Sequence, residues 1–127
     1  MKKGYIIPNG VVLEKHEYKT VVFLTELGYI VELIPPRPQE QVKTPDAKIN
    51  GKFWEIKAPR NNGKYTIDHM LEHAKSQSAN IIVDLRRSKA PVRSLAKIKH
   101  GVSKRTKLKN VVVITKGREL LDIKGSL

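Results

Sequence analysis

Apolar positions along this chain change period several times, and each change marks an element. Residues 1–12 carry no sustained period. Tyr5-Ile6-Ile7 is cut by Pro8, and Pro8-Asn9-Gly10 reads as a turn in an extended lead-in. Over residues 13–27 the period becomes helical. Glu17, Val21, Leu24 and Gly28 fall at i, i+4, i+7 and i+11 along one face, with Gly28 placed to end the helix. Residues 29–34 are β-rich, and Pro35-Pro36-Arg37-Pro38 then breaks regular structure into a loop. Residues 44–58 read as a hairpin, followed by a loop over 59–64 rich in Asn and Gly. Residues 66–77 predict a helix with Ile67, Met70, Leu71 and Ala74 as its apolar stripe, Thr66 as N-cap and Asp68 in the first turn. Ile81-Ile82-Val83 is a short buried strand, and Pro91 suits the first position of a helix reaching about residue 99. Residues 111–115 form the most hydrophobic strand, and 119–123 return against it around Lys116-Gly117. The expected order is α, β, β, β, α, β, α, β, β. Buried strands separated by helices predict an α/β fold, a mixed β-sheet flanked by helices.

The hairpin carries the chemistry. Asn50-Gly51 is a two-residue turn signal, because both central positions of a type I′ turn need positive φ. With the turn there, Ile49 faces Lys52, and continuing the register puts Asp46 opposite Glu55. Facing strand residues have Cβ atoms roughly 5 Å apart, so the two carboxylates share one small space. Lys57 lies two residues beyond Glu55, on the same face. The other face holds Ala47, Ile49, Trp54 and Ile56 and reads as core. Two like charges held opposite each other are destabilising without a cation between them. A divalent metal with hard oxygen ligands, beside a lysine, resolves the conflict and is suited to phosphodiester hydrolysis.

Composition narrows the partners. The 127 residues suffice for one domain, spanning 1–127, with a core of its own. A formal net charge of +13 points to a polyanion, nucleic acid before an anionic membrane. No apolar run approaches the ~18 residues that span a bilayer, and the start is too short for a signal peptide. The absence of cysteine excludes disulfides and thiolate metal sites and fits a reducing cytosol. Charge is one-sided over residues 86–109. Arg86, Arg87, Lys89, Arg93, Lys97, Lys99, Lys104, Arg105, Lys107 and Lys109 occur there with no Asp or Glu, which favours phosphate contact over a solvated face of mixed sign. Two other readings compete. His69-Met70-Leu71-Glu72-His73 matches H-x-x-E-H, which sets two histidines on one helical face as zinc ligands, with Glu119 as the main downstream candidate for a third. A non-catalytic basic nucleic-acid-binding module would explain the charge but not two carboxylates side by side.

Several of these residues occur in a known arrangement. Pro45-Asp46, then Glu55-Ile56-Lys57, with Glu17 on a helix before them, resembles the PD-(D/E)xK nuclease superfamily, whose core is restriction-endonuclease-like. The run from Ala74 through Lys75, Gln77 and Ile81 to Asp84 is similar to the helix–strand junction of one branch, the C-terminal tRNA nuclease toxin domains of contact-dependent growth inhibition (CdiA-type) proteins. The likeness covers residues 12–124. It implies that Asp46, Glu55 and the carbonyl of Ile56 hold Mg²⁺ or Mn²⁺. Glu17 would complete the shell or position a water, and Lys57 would orient the attacking water and stabilise the phosphorane. The likeness implies Gln77 as a residue that either supports the metal ligands from behind or contacts the phosphate, while the one-sided charge makes Arg86, Arg87, Lys97, Lys99, Lys104 and Arg105 the expected element gripping the nucleic-acid backbone. The implied activity is metal-dependent endonucleolytic cleavage of RNA, tRNA in particular, with DNA cleavage as the alternative within the superfamily. The likeness further implies a cognate immunity protein, expected to be acidic. It also implies action in the cytoplasm of a target bacterial cell after delivery as the C-terminal part of a secreted effector.

Overall fold

The structure is a computed structural model and describes residues 2–37, 44–61 and 63–127. Pro38 and Asn62, assigned to loops from the sequence, lie outside the described residues. The elements run β1 (Ile6–Ile7), α1 (Lys15–Glu26), β2 (Val31–Leu33), β3 (Ala47–Ile49), β4 (Lys52–Lys57), α2 (Thr66–Gln77), β5 (Asn80–Asp84), α3 (Pro91–Ser103), β6 (Asn110–Ile114) and β7 (Leu120–Lys124). The seven strands form one sheet in sequence order, β1 to β7. β1 lies parallel to β2, the β2-β3 and β3-β4 pairs are antiparallel, and β4, β5 and β6 are parallel to one another. β7 closes the far edge antiparallel to β6. This is the mixed sheet flanked by helices that the order of periods predicts.

Alternation along the strands divides the interior into two cores. Trp54, Ile56, Ile82, Val112 and Ile114 pack with Val21 and Leu24 of α1. Their neighbours Ile81, Val83, Val111 and Val113 pack with Ile67, Leu71 and Ala74 of α2 and with Ile98 and Val102 of α3. The central parallel strands are buried on both sides, which is why they read as unbroken apolar runs rather than alternating ones.

Three local expectations change. β1 is a strand, joined to β2 where the Val31 N–H donates to the Tyr5 carbonyl; two residues before a proline are too few to show a period. Thr66 is the first residue of α2 rather than its cap, and Tyr65 takes the cap position without a side-chain hydrogen bond. α3 runs on to Ser103 through Gly101. A Cβ at Gly101 would meet Leu71 Cδ1 at 2.5 Å, so a glycine lets α3 approach α2.

Candidate active site

The hairpin forms at the expected residues. Asn50 and Gly51 have φ of 53° and 77°, and Ile49 pairs with Lys52, Lys48 with Phe53, and Ala47 with Trp54. The ladder then departs from the simple register. The Asp46 N–H donates to the Trp54 carbonyl at 3.0 Å rather than forming the next rung. The Asp46 carboxylate instead accepts the Ile56 N–H at 2.8 Å. A side chain replaces a backbone partner, so the strand peels away while its carboxylate stays fixed over β4.

Glu55 is 5% exposed. One of its oxygens pairs with Lys57 Nζ at 3.2 Å, and the other, Oε1, is buried with no partner among the described residues. Burial, then the adjacent Asp46 charge, pushes the Glu55 carboxyl up to about 8 against the opposing pull of Lys57. Asp46, Glu55 and Lys57 therefore converge as the register implied, although by a side-chain cap and not by a continued ladder.

Glu17 joins them electrostatically. Its carboxyl is raised by burial first and by the Asp46 charge second, while a hydrogen bond from the Glu14 backbone lowers it. That bond satisfies the N–H of Glu14, the residue before α1, which gives Glu17 a structural role at the start of the helix as well. Glu14, His16 and Glu17 place their ligand atoms within 4.8 Å of one another.

His73 was missed as a partner of this site. Lys57 Nζ lies 2.9 Å from His73 Nδ1, so the imidazole accepts from the ammonium that Glu55 also holds. The available signal was spacing: His73 and Gln77 are i and i+4 on α2. Gln77 ends that helix with its Oε1 buried and unpartnered among the described residues. It lines a cleft of about 630 Å³ with Pro45, Phe53 and Asn80.

The zinc arrangement is not assembled. Glu72 is paired with Lys75 at 3.0 Å and with Arg105 at 3.0 Å, His69 stacks on Tyr65, and His73 faces Lys57. Glu119 lies at the turn before β7. Among the described residues, the trio of histidine and carboxylates near enough to share an ion is Glu14, His16 and Glu17.

The basic segment divides into anchored and exposed cations. Arg86 grips the Asp84 carboxylate through Nε and Nη2, donates to the Lys19 carbonyl at 3.0 Å and lies over the Phe23 ring. Arg87 Nε donates to the Ala58 carbonyl at 2.6 Å. Arg105 ties α3 to α2 through Glu72, Asp68 and the Gly101 carbonyl. Lys97 is half-buried, and Lys99 and Lys104 are exposed.

Asp84 is fully committed to the fold. Burial alone would raise its carboxyl, but hydrogen bonds from Arg86 and from Thr20 Oγ1, the latter at 2.6 Å, bring it below the usual range. Asp84→Ala should destabilise the protein by about 3 kcal/mol, because Arg86 and Thr20 lose a charged partner in the interior. A denaturant titration measures this.

The donor set fits an oxygen-liganded divalent cation: a buried carboxylate oxygen without a partner among the described residues stands beside a second carboxylate and a lysine. Residues 43–120 match the family model described as the contact-dependent growth inhibition CdiA C-terminal domain, more than half of the chain. The chain belongs to the CdiA C-terminal domain family. Among solved structures it is similar to a chain of a CdiA-CT/CdiI toxin and immunity complex from Burkholderia pseudomallei, with 24% identity and a TM-score of 0.67. The likeness covers 96% of this chain and 100% of that one, and at this identity it speaks for the fold. Comparison with curated proteins gives no significant match. The CdiA-type match contains Asp46, Glu55, Lys57, His73 and Gln77, while Glu17 precedes it.

Proposed function

We propose that this domain is a growth-inhibition toxin that works as a metal-dependent endonuclease of the PD-(D/E)xK type, hydrolysing RNA and in particular tRNA. The observation that carries the reading is the buried Glu55, with one oxygen on Lys57, the other without a partner among the described residues, and Asp46 beside it. A basic surplus of +13 supports a nucleic-acid substrate, and membership of the CdiA C-terminal family supports the toxin role.

Each residue has a physical task. Asp46, locked by the Ile56 amide, and Glu55 would hold Mg²⁺ or Mn²⁺ together with the Ile56 carbonyl. The ion would supply a water of lowered pKa and neutralise charge on the phosphate. Lys57 is kept in place from two sides by Glu55 and His73, so its ammonium is pre-positioned where negative charge develops in the transition state. Glu17, coupled to Asp46, adds negative charge that favours a cation there. His73→Ala should slow cleavage about five-fold, since it removes one hydrogen bond, worth about 1 kcal/mol, that orients Lys57. Initial rates against His69→Ala, which should be near the parent rate, check this.

The toxin and immunity complex of the structural neighbour supports a cognate immunity protein for this chain as well. An acidic partner covering the carboxylate site or the basic surface would compete with phosphate for the same field. Among the described residues no helix is long and apolar enough to cross a membrane. Action in the cytoplasm of a target cell, after delivery as the C-terminal part of a secreted effector, is the setting in which such a nuclease meets tRNA. Expression in a sensitive cell tests the substrate. Fragmented tRNA with intact chromosomal DNA is expected; intact tRNA with fragmented DNA would move the chain to the DNA-cleaving side of the superfamily.

A further inference from the structure

A second basic surface lies on the opposite face of the sheet from α3. α1 and the C-terminal ends of the parallel strands enclose a cleft of about 820 Å³. Lys15, Tyr18 and Lys19 line it from the helix, Ala58 follows β4, Arg86 follows β5, and Lys116 and Arg118 follow β6. Two of its lining residues are chain neighbours of the carboxylate site: His16 precedes Glu17, and Ala58 follows Lys57. The cleft thus adjoins the site and leads away from it along α1.

Its cations fall into two groups. Arg86 and Lys116 form fixed walls, the first held by Asp84 and the Phe23 ring, the second donating to the Ser88 carbonyl at 2.9 Å. Lys15, Lys19 and Arg118 have no side-chain partner among the described residues. Of the two carboxylates lining the cleft, Asp84 is neutralised by Arg86, and Glu26 stands at the far end of α1. Tyr18 is 53% exposed in the middle of this surface.

Arg118 supplies an independent observation. It holds a φ of 68° in the turn between β6 and β7, a left-handed conformation in which glycine or asparagine is the relaxed choice. A long basic side chain is kept at the cleft rim at a conformational cost of about 1 kcal/mol.

We propose that this cleft is the track for the substrate strand, its phosphodiester backbone gripped by Lys15, Lys19 and Arg118 and one base stacked on Tyr18, and that Lys97, Lys99 and Lys104, on α3 and just after it, are not the principal grip. The assignment of the strand as substrate rests on the nuclease reading; the binding surface itself does not. Three cations without a side-chain partner among the described residues suit a phosphodiester backbone, and aromatic stacking holds any base without sequence preference.

The test uses the Glu55→Gln protein without added metal and a fluorescent single-stranded RNA, with DNA of the same sequence as a second arm. Anisotropy is read across a salt series. Lys15→Ala with Lys19→Ala and Arg118→Gly should weaken binding on the order of 100-fold at 0.1 M salt and flatten the log–log salt slope by about 2. Tyr18→Ala should weaken binding with the slope unchanged. Arg118→Gly alone should lower affinity while its melting temperature stays level or rises, which separates the grip from the fold. Binding unchanged in the triple variant, but lost in Lys97→Ala with Lys99→Ala and Lys104→Ala, would overturn the track. Cleavage by the parent protein with Mg²⁺ or Mn²⁺ is scored separately. Cleavage that ignores the cleft variants sinks the track and keeps the nuclease; cleft-dependent binding without cleavage under either metal sinks the nuclease and keeps the cleft as a nucleic-acid surface.

Discussion

Asp46→Ala, Glu55→Gln and Lys57→Ala are each expected to lower RNA cleavage by about 100- to 1,000-fold, the usual cost of removing a pre-positioned charge from a transition state. The three substitutions remove different things. Glu55→Gln keeps volume and burial but removes the negative charge that Glu55 would carry when holding the metal. Asp46→Ala also frees the Ile56 N–H, so part of its effect is loss of the cap that peels β3 from β4. Lys57→Ala leaves Glu55 and His73 without their shared ammonium. Because the three act on one reacting phosphate, their losses should not add: a double variant should be little worse than either single one. Far-UV circular dichroism on each variant shows whether the fold is intact. An essential His69 and His73 with a dispensable Asp46 would return the zinc reading.

Stability should depend on pH in an unusual direction for a carboxylate. In the folded protein Glu55 keeps its proton up to about 8, whereas in the unfolded chain it ionises near 4.5. Between those values unfolding releases a proton, so raising the pH favours the unfolded state. The contribution is fully present below about pH 4.5 and is lost as pH rises toward 8. Its size is on the order of a few kcal/mol, enough to move the melting temperature by several degrees. Glu17, also raised, acts in the same sense, and Asp84, lowered, acts in the opposite sense and at lower pH. Glu55→Gln isolates the residue, because glutamine stands in for the protonated form. The variant should melt close to the parent at pH 5 and clearly above it at pH 8. Added Mg²⁺ or Mn²⁺ should close that gap by stabilising the parent alone. Parallel melting curves for parent and variant would contradict the burial argument.

The parts of the fold with a strong local signal were legible in the sequence. Asn50-Gly51 fixed the turn because few other residue pairs adopt its two positive φ values, and the unbroken apolar runs at 81–83 and 111–114 placed the central strands. β1 was not legible, since a two-residue strand exists only through its pairing with β2. The register argument brought Asp46 to Glu55 but not the means, a carboxylate replacing a backbone acceptor, which no periodicity encodes. The run of like charge over 86–109 was visible, but not that Arg86, Arg87 and Arg105 are tied into the fold by groups distant in sequence. The cleft beside α1 was invisible for the same reason: Lys15, Lys19 and Arg118 come together only when the ends of β4 and β6 do.

Purified tRNA incubated with the domain in Mg²⁺, in Mn²⁺ and in EDTA, beside the Glu55→Gln protein, tests the central claim most directly. The account predicts discrete tRNA fragments with a divalent metal, none in EDTA, and at least a 100-fold slower reaction for Glu55→Gln. Cleavage that persists in EDTA, or that proceeds at the parent rate with Glu55→Gln, would contradict it.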